Sequence, residues 1–247
     1  RLQAQAEHIT QQVARGSIRP ARLEADIIVS HLTLNWRGLP GLTALRAANL
    51  LAGRMLYEVL HVGNGPVASS GAAVVPPDAQ VGAALRLDML FVIAGGDVGA
   101  HADPALARWL ARLAREGVHL GGVSGGPVIL ARAGLMAGRR MTLHWEYAEA
   151  LAEASPDLAL ERSLYVIDRD RMTCAGGTAA MDMMLTLIGK HHGPRLAEQV
   201  SEQFVCDRIR LADERQHVPL RNRLGHAPQS LVDAVTLMEA NIEEPLS

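Results

Sequence analysis

An α/β fold built on a mostly parallel, doubly wound sheet is what this sequence predicts, and three observations carry that expectation. Short apolar runs alternate with helical patterns along most of the chain, as parallel βαβ units require. Met89-Leu90-Phe91-Val92-Ile93 is unbroken and apolar, the pattern of a central strand covered on both faces. Gly122-Val123-Ser124-Gly125-Gly126-Pro127 then joins an apolar run to a helical one through a glycine-crowded turn. Such a turn forces one side chain into a tight position, the geometry of a nucleophile elbow, and here that side chain is the Ser124 hydroxyl.

The elements follow in order. Residues 1–24 read as a polar arm with scattered apolar positions. Ala25 to Ser30 is rich in β-branched residues and reads as a strand. Leu42 to Leu51 is helical, Tyr57 to Val62 a strand, and Val67 to Val75 extended as far as Pro76-Pro77. Leu87 to Ala94 is the central strand and runs into Gly95-Gly96-Asp97. Asp103 caps the next helix, with Pro104 in its first turn. Leu106, Trp109, Leu110 and Leu113 form its buried stripe, and Gly117 stops it. The elbow leads into a helix over Val128 to Ala137. Met141 to Trp145 reads as a strand and Glu146 to Ala154 as a helix ended by Ser155-Pro156. Ser163 to Ile167 and Met172 to Ala175 are strands joined at the polar turn Asp168-Arg169-Asp170-Arg171. Gly176-Gly177 opens a helix with Met181, Met184, Leu185 and Ile188 on one face. Pro194 to Leu211 reads as helix, and Leu231, Val235, Met238 and Ile242 mark a last amphipathic one. The apolar faces at Val200, Phe204, Leu231 and Val235 pack either on the domain itself or on a second copy. The chain opens on Arg rather than Met and stops after a helix end, as a piece cut at a domain junction would.

Composition narrows the function classes. The 247 residues are 49% hydrophobic, enough for one large core, and the net charge of −2 gives no electrostatic footprint for nucleic acid. No apolar run is long enough to span a bilayer, and no signal-peptide core follows Arg1. Cys174 and Cys206 have no metal-ligand spacing and read as small buried hydrophobes of a reducing, cytoplasmic compartment. Neither a metal nor a cofactor is expected.

In a doubly wound sheet, ligands sit at the carboxyl ends of the strands. Gly95, Gly96, Ser124, Gly125, His144, Trp145 and Gly177 all fall there. A serine hydroxyl is a poor nucleophile without a positioned base, and His144 is the candidate base. An α/β-hydrolase order is also available, with Asp168, Asp170 or Asp182 followed by His191, His192, His217 or His226, but order alone is a weak filter. Against catalysis, Ser124 reads as a hydrogen-bonding group on the floor of a ligand pocket. The loop glycines would expose N–H groups suited to a carboxylate. Glu146 and Asp182 read as helix-start charges, His191-His192 as a surface pair, and the methionines at 181, 183 and 184 as core.

Several stretches resemble one family. Leu45-Arg46-Ala47-Ala48-Asn49, the Ser124 elbow, Ala131-Arg132-Ala133-Gly134-Leu135, Gly138 to Glu146 and Cys174 to Asp182 are similar to the amidotransferase-like domain of GlxA-type AraC/XylS transcription regulators. The resemblance covers about residues 40–247. Leu237 to Ser247 resembles the start of the helix-turn-helix domain that follows in such regulators. It implies a flavodoxin-like three-layer sandwich of the class I glutamine amidotransferase-like superfamily (the PfpI group). Enzymes there carry cysteine at the elbow; the corresponding residue here is Ser124, with His144 where those enzymes often keep a histidine. No acidic partner follows the first strand, at Ser30-His31-Leu32-Thr33.

The resemblance therefore implies a non-enzymatic, dimerising ligand sensor of a bacterial AraC-family regulator. Residues 25–211 would be the sensor and 212–247 a linker and first helix leading to a DNA-binding domain beyond this chain. The elbow is similar to regulators of quaternary-amine catabolism, which implies a small nitrogenous effector of the betaine or carnitine kind. A cationic head would want aromatic faces, and with aromatics only 3% of the chain, Trp145, Tyr147 or Trp36 would have to supply them. The rival expectations are a cofactor-free hydrolase or hydratase using Ser124 and His144, and a module that only dimerises.

Overall fold

The alternating apolar runs assemble into a sheet with helices on both faces. The computed structural model describes residues 25–31, 39–68, 74–98, 103–216 and 228–240. Strand β1 (Ala25–His31) leads to helix α1 (Leu39–Ala52) and strand β2 (Tyr57–Val62). The short β3 (Val67–Ala68) and β4 (Val74–Val75) pair antiparallel, so the extended stretch is two rungs of a hairpin. Then come β5 (Met89–Ala94), α2 (Pro104–Arg115), β6 (His119–Ser124), α3 (Gly126–Arg132), β7 (Arg140–Met141), α4 (Trp145–Ala154) and β8 (Ala159–Leu160). The hairpin β9 (Tyr165–Asp168) and β10 (Arg171–Cys174) precedes α5 (Thr178–His192), α6 (Pro194–Gln203) and α7 (Gln229–Ala240).

The main sheet runs β2-β1-β5-β6-β10-β9. Its first five strands are parallel, and only β9 is reversed against β10. This is the doubly wound, flavodoxin-like order in which successive strands first move outward on one side and then on the other. Strand β5 shows why both faces must be covered. Met89, Phe91 and Ile93 enter one core with α1, α5 and α6, while Leu90, Val92 and Ala94 enter the other with α2, α3 and α4. The period-two alternation of a strand thus divides the core into two halves. Leu90 and Phe91 are fully buried, each contributing about 1.5–3 kcal/mol.

Local chemistry explains the element ends. Asp103 caps α2 by accepting the Ala105 N–H at 2.7 Å, and Leu106, Trp109, Leu110 and Leu113 are its buried stripe, as their spacing predicts. Asn49 binds α1 to β2: its Oδ1 accepts the N–H groups of Leu56 and Tyr57 at 2.8 and 2.9 Å, and its Nδ2 donates to the Tyr57 carbonyl at 2.7 Å.

Four expectations need correction. The elbow helix ends at Arg132 rather than near Ala137, because the chain turns through Gly134 at φ 71°. The strand expected over Met141 to Trp145 is confined to Arg140–Met141. The Thr142 N–H instead donates to Thr173 Oγ1 at 2.9 Å and its hydroxyl to the Ser163 carbonyl at 2.8 Å, which frees His144 to cap α4. The helix expected to reach Leu211 stops at Gln203, and Val205 follows in the left-handed region at φ 55°. Residues 204–214 form an irregular strap over the sandwich. Arg210 draws it in through Asp182, with Nε and a terminal nitrogen on Oδ2 at 2.9 and 2.6 Å and the backbone N–H on Oδ1 at 3.0 Å. Asp182 is therefore a buried anchor, not a solvated helix-start charge. Val200 is fully buried and Phe204 packs on the same core, so this apolar face is covered by the domain itself.

The chain divides into two units, Arg1–Glu214 and Arg215–Ser247. In the second, α7 exposes Leu231, Leu237 and Met238. No helix among the described residues is long and apolar enough to cross a membrane.

Candidate functional site

The elbow is held by contacts that leave little room for change. Strand β6 ends at Ser124, whose φ of 61° lies where non-glycine residues are strained. A Cβ on Gly126 would stand 1.8 Å from the Val92 carbonyl oxygen, so only glycine lets α3 start this close to β5. The Gly125 N–H donates to the Ala94 carbonyl at 2.9 Å, and the Ser124 carbonyl accepts the His144 N–H at 3.1 Å. Gly176, at φ 86°, packs on the other side; a Cβ there would lie 2.7 Å from the Ser124 Cβ.

These contacts gather the predicted residues at the carboxyl end of the sheet. Gly95 is buried and Gly96 exposed just beyond β5, Ser124 and Gly125 form the elbow, and Gly177 precedes α5 beside Gly176. His144 is the N-cap of α4: its Nδ1 accepts the Glu146 N–H at 3.4 Å and lies 3.5 Å from the Glu146 carboxylate. The Trp145 ring, 36% exposed, stands 5.2 Å from the His144 ring. Tyr147 crosses the group. Its hydroxyl donates to the Gly96 carbonyl at 3.2 Å, and its ring edge is 3.1 Å from where a Gly125 Cβ would be. Trp36 lies outside the described residues.

The Ser124 hydroxyl itself is fully buried and has no hydrogen-bond partner among the described residues. It therefore makes no hydrogen bond to His144. The amide that an elbow normally directs at an oxyanion, that of the residue after the nucleophile, is here Gly125, which already donates to Ala94. Among the described residues the hydrolase alternatives are not assembled either. Asp168 ends β9 and Asp170 sits in the turn before β10, both at the opposite end of the sheet from Ser124. Asp182 is committed to Arg210. His191 and His192 end α5, about 20 Å along the helix from Gly177, while His217 and His226 lie outside the described residues.

Two features near Ser124 were not among the predicted site residues. Gly176, rather than its neighbour Gly177, touches Ser124; the adjacent glycines signalled a tight turn but not which one faces the elbow. Cys174 is fully buried beneath the turn, and burial pushes its thiol up to about 12 despite hydrogen bonds from the backbone N–H groups of Gly176 and Ser124. It is an inert packing thiol, one strand over from the elbow position where an enzyme of the resembled family would carry its nucleophile. No group of three or more His, Cys, Asp or Glu residues suited to a metal occurs among the described residues.

Comparison with known proteins adds to this geometry. The DJ-1/PfpI family model matches residues 43–190, more than half of the chain. The HTH-type transcriptional regulator CdhR of Pseudomonas aeruginosa is 44% identical over 204 residues, covering 82% of this chain and 61% of that protein. The HTH-type transcriptional regulator GlxA of Rhizobium meliloti is 38% identical over 205 residues, covering 82% and 63%. The chain thus spans about three fifths of these curated relatives. Among solved structures, an AraC family transcriptional regulator from Pseudomonas putida aligns with a TM-score of 0.64 at 30% identity, covering 72% of this chain and 97% of that one.

Proposed function

This chain belongs to the DJ-1/PfpI family, and from that premise we propose that it is the effector-sensing, dimerising part of an AraC-type transcriptional regulator that binds a small nitrogenous metabolite without transforming it. The effector lies at the strand ends around Ser124, between Gly95-Gly96, His144 and Gly177. DNA contact comes through a helix-turn-helix domain beyond these 247 residues.

The observation that carries this reading is the Ser124 hydroxyl, buried, strained and unpartnered. Leaving such a group unsatisfied costs about 1–3 kcal/mol, and a ligand that hydrogen-bonds to it recovers that cost. Catalysis lacks the matching support, because no base touches the hydroxyl and the Gly125 amide is engaged. In this reading Tyr147, which donates to the Gly96 carbonyl and packs beside Gly125, swings away to open the elbow. A ligand that selects the opened arrangement shifts a population, which is what a sensor requires. Trp145 and Tyr147 offer the aromatic faces that a quaternary ammonium prefers.

Thermal denaturation with glycine betaine, carnitine and other nitrogenous metabolites tests the proposal. A true effector at about 100 times its Kd stabilises the fold by about 2.7 kcal/mol, and Ser124→Ala removes the response. No response across the panel refutes the sensor reading. Turnover of an ester or nitrile that disappears in Ser124→Ala establishes the hydrolase or hydratase instead. Light scattering that finds a monomer at high concentration rejects the dimer.

A further inference from the structure

At the reversed edge of the sheet, away from the elbow, β9, α5 and the strap enclose a cleft of about 230 Å³. Tyr165 contributes from β9, Thr186 and Lys190 from α5, and Asp213 from the strap; Arg140 and Glu161 complete the rim. Most of its polar groups already have partners. The Tyr165 and Thr186 hydroxyls share a hydrogen bond of 2.8 Å, and Tyr165 donates to the Arg210 carbonyl at 3.3 Å. The Arg140 guanidinium donates to Glu161 at 3.1 Å. Two charges are left. Lys190 and Asp213 make no hydrogen bond or ion pair with any described residue.

We propose that this cleft is a second ligand site, for a small zwitterion of the α-amino-acid type. One uncommitted cation and one uncommitted anion, carried by different elements, match a molecule with a carboxylate and an ammonium. The carboxylate goes to Lys190 and the ammonium to Asp213. The ammonium is primary rather than quaternary, because Asp213 recognises it as a hydrogen-bond acceptor. The one aromatic ring of the cleft, Tyr165, is 4% exposed and offers no open face for a methylated cation. This separates the cleft chemically from the elbow.

The position of the cleft gives binding a consequence. Asp213 belongs to the strap, the last segment before the second unit begins at Arg215. The strap is attached to the sandwich by Arg210 on Asp182 and Thr178, and by the Leu164 N–H, which faces the Ala212 and Glu214 carbonyls at 3.1 and 2.9 Å. A ligand joining Lys190 to Asp213 adds a further attachment and holds the strap down.

Calorimetric titration of the 247-residue protein with the twenty α-amino acids tests this, with acetate, methylamine and glycine betaine as controls. At least one amino acid binds, and each control binds at least about tenfold more weakly. Lys190→Gln and Asp213→Asn each weaken that amino acid at least about tenfold, whereas Ser124→Ala leaves it unchanged. Both side chains are exposed and unbonded, so these replacements disturb no packing. The exchanged pair Lys190→Asp with Asp213→Lys regains affinity by binding the ligand end for end. Hydrogen exchange at the Leu164 amide slows on binding. The proposal is overturned if no amino acid binds, if binding is indifferent to both single variants, or if Ser124→Ala abolishes it. The last outcome moves the ligand to the elbow and leaves the sensor reading standing.

Discussion

Replacing Ser124 by alanine should make the folded protein more stable, and the size of the gain follows from its surroundings. The hydroxyl is fully buried and satisfies no partner, so the native state carries a desolvation cost of about 1–3 kcal/mol that the unfolded chain does not. Alanine removes that cost while keeping the Cβ and hence the backbone strain at φ 61°. The void left by one oxygen subtracts at most about 0.5 kcal/mol. The net expectation is a stabilisation of about 1 kcal/mol, and Tm rises by about 2–4 °C for a domain of this size. Denaturant unfolding monitored by circular dichroism, with calorimetry for Tm, measures both. A stability gain at a residue whose loss abolishes ligand response is the signature of a group kept for recognition. A loss of 1 kcal/mol or more would refute the reasoning, since it would mean that the oxygen makes a favourable hydrogen bond in the folded state.

Three other outcomes are expected. Gly126→Ala drives a methyl group into the Val92 carbonyl and costs at least about 3 kcal/mol, read from denaturant midpoints; a loss under 1 kcal/mol shows that α3 can move away from β5. Glu214, held down to about 2 from an ordinary 4.5 by the Arg208 guanidinium and the Leu211 N–H, stabilises the strap above pH 4.5 and loses that effect as pH falls toward 2. The stability difference between wild type and Glu214→Gln therefore shrinks by roughly half by pH 3, and a difference constant from pH 6 to pH 3 contradicts the assignment. Cys174, with its thiol near 12 and fully buried, resists a thiol reagent at pH 8 until the protein unfolds. Labelling of Cys174 at the rate of a free thiol, located by mass spectrometry, would show that the elbow opens far more readily than its packing implies.

Much of the fold is legible in the sequence because short-range rules decide it. The α2 stripe follows from helical spacing, its start from the Asp103 and Pro104 cap, and β5 from a run too apolar to tolerate water on either face. The same rules fail where distant residues intervene. Nothing local stops a helix at Gln203, yet Asp182, more than twenty positions upstream, pulls Arg210 into an irregular strap. His144 has the apolar neighbours of a strand residue but becomes a cap, because Thr142 bonds to Thr173 and Ser163 instead of to a neighbouring strand. At the elbow, the glycines announce a tight turn. Which neighbour faces Ser124, and whether its oxygen meets a base, depend on how separate strands align, and pattern reading does not reach that far.

Asn49 carries an implication for how the segment after α1 can diversify. One amide side chain meets three main-chain groups at Leu56 and Tyr57, so the reversal that begins at Gly53 borrows most of its hydrogen bonding from the preceding helix. Substitution of Asn49 would therefore unfasten three main-chain groups at once, so the segment can diversify only while that asparagine, a turn away, stays.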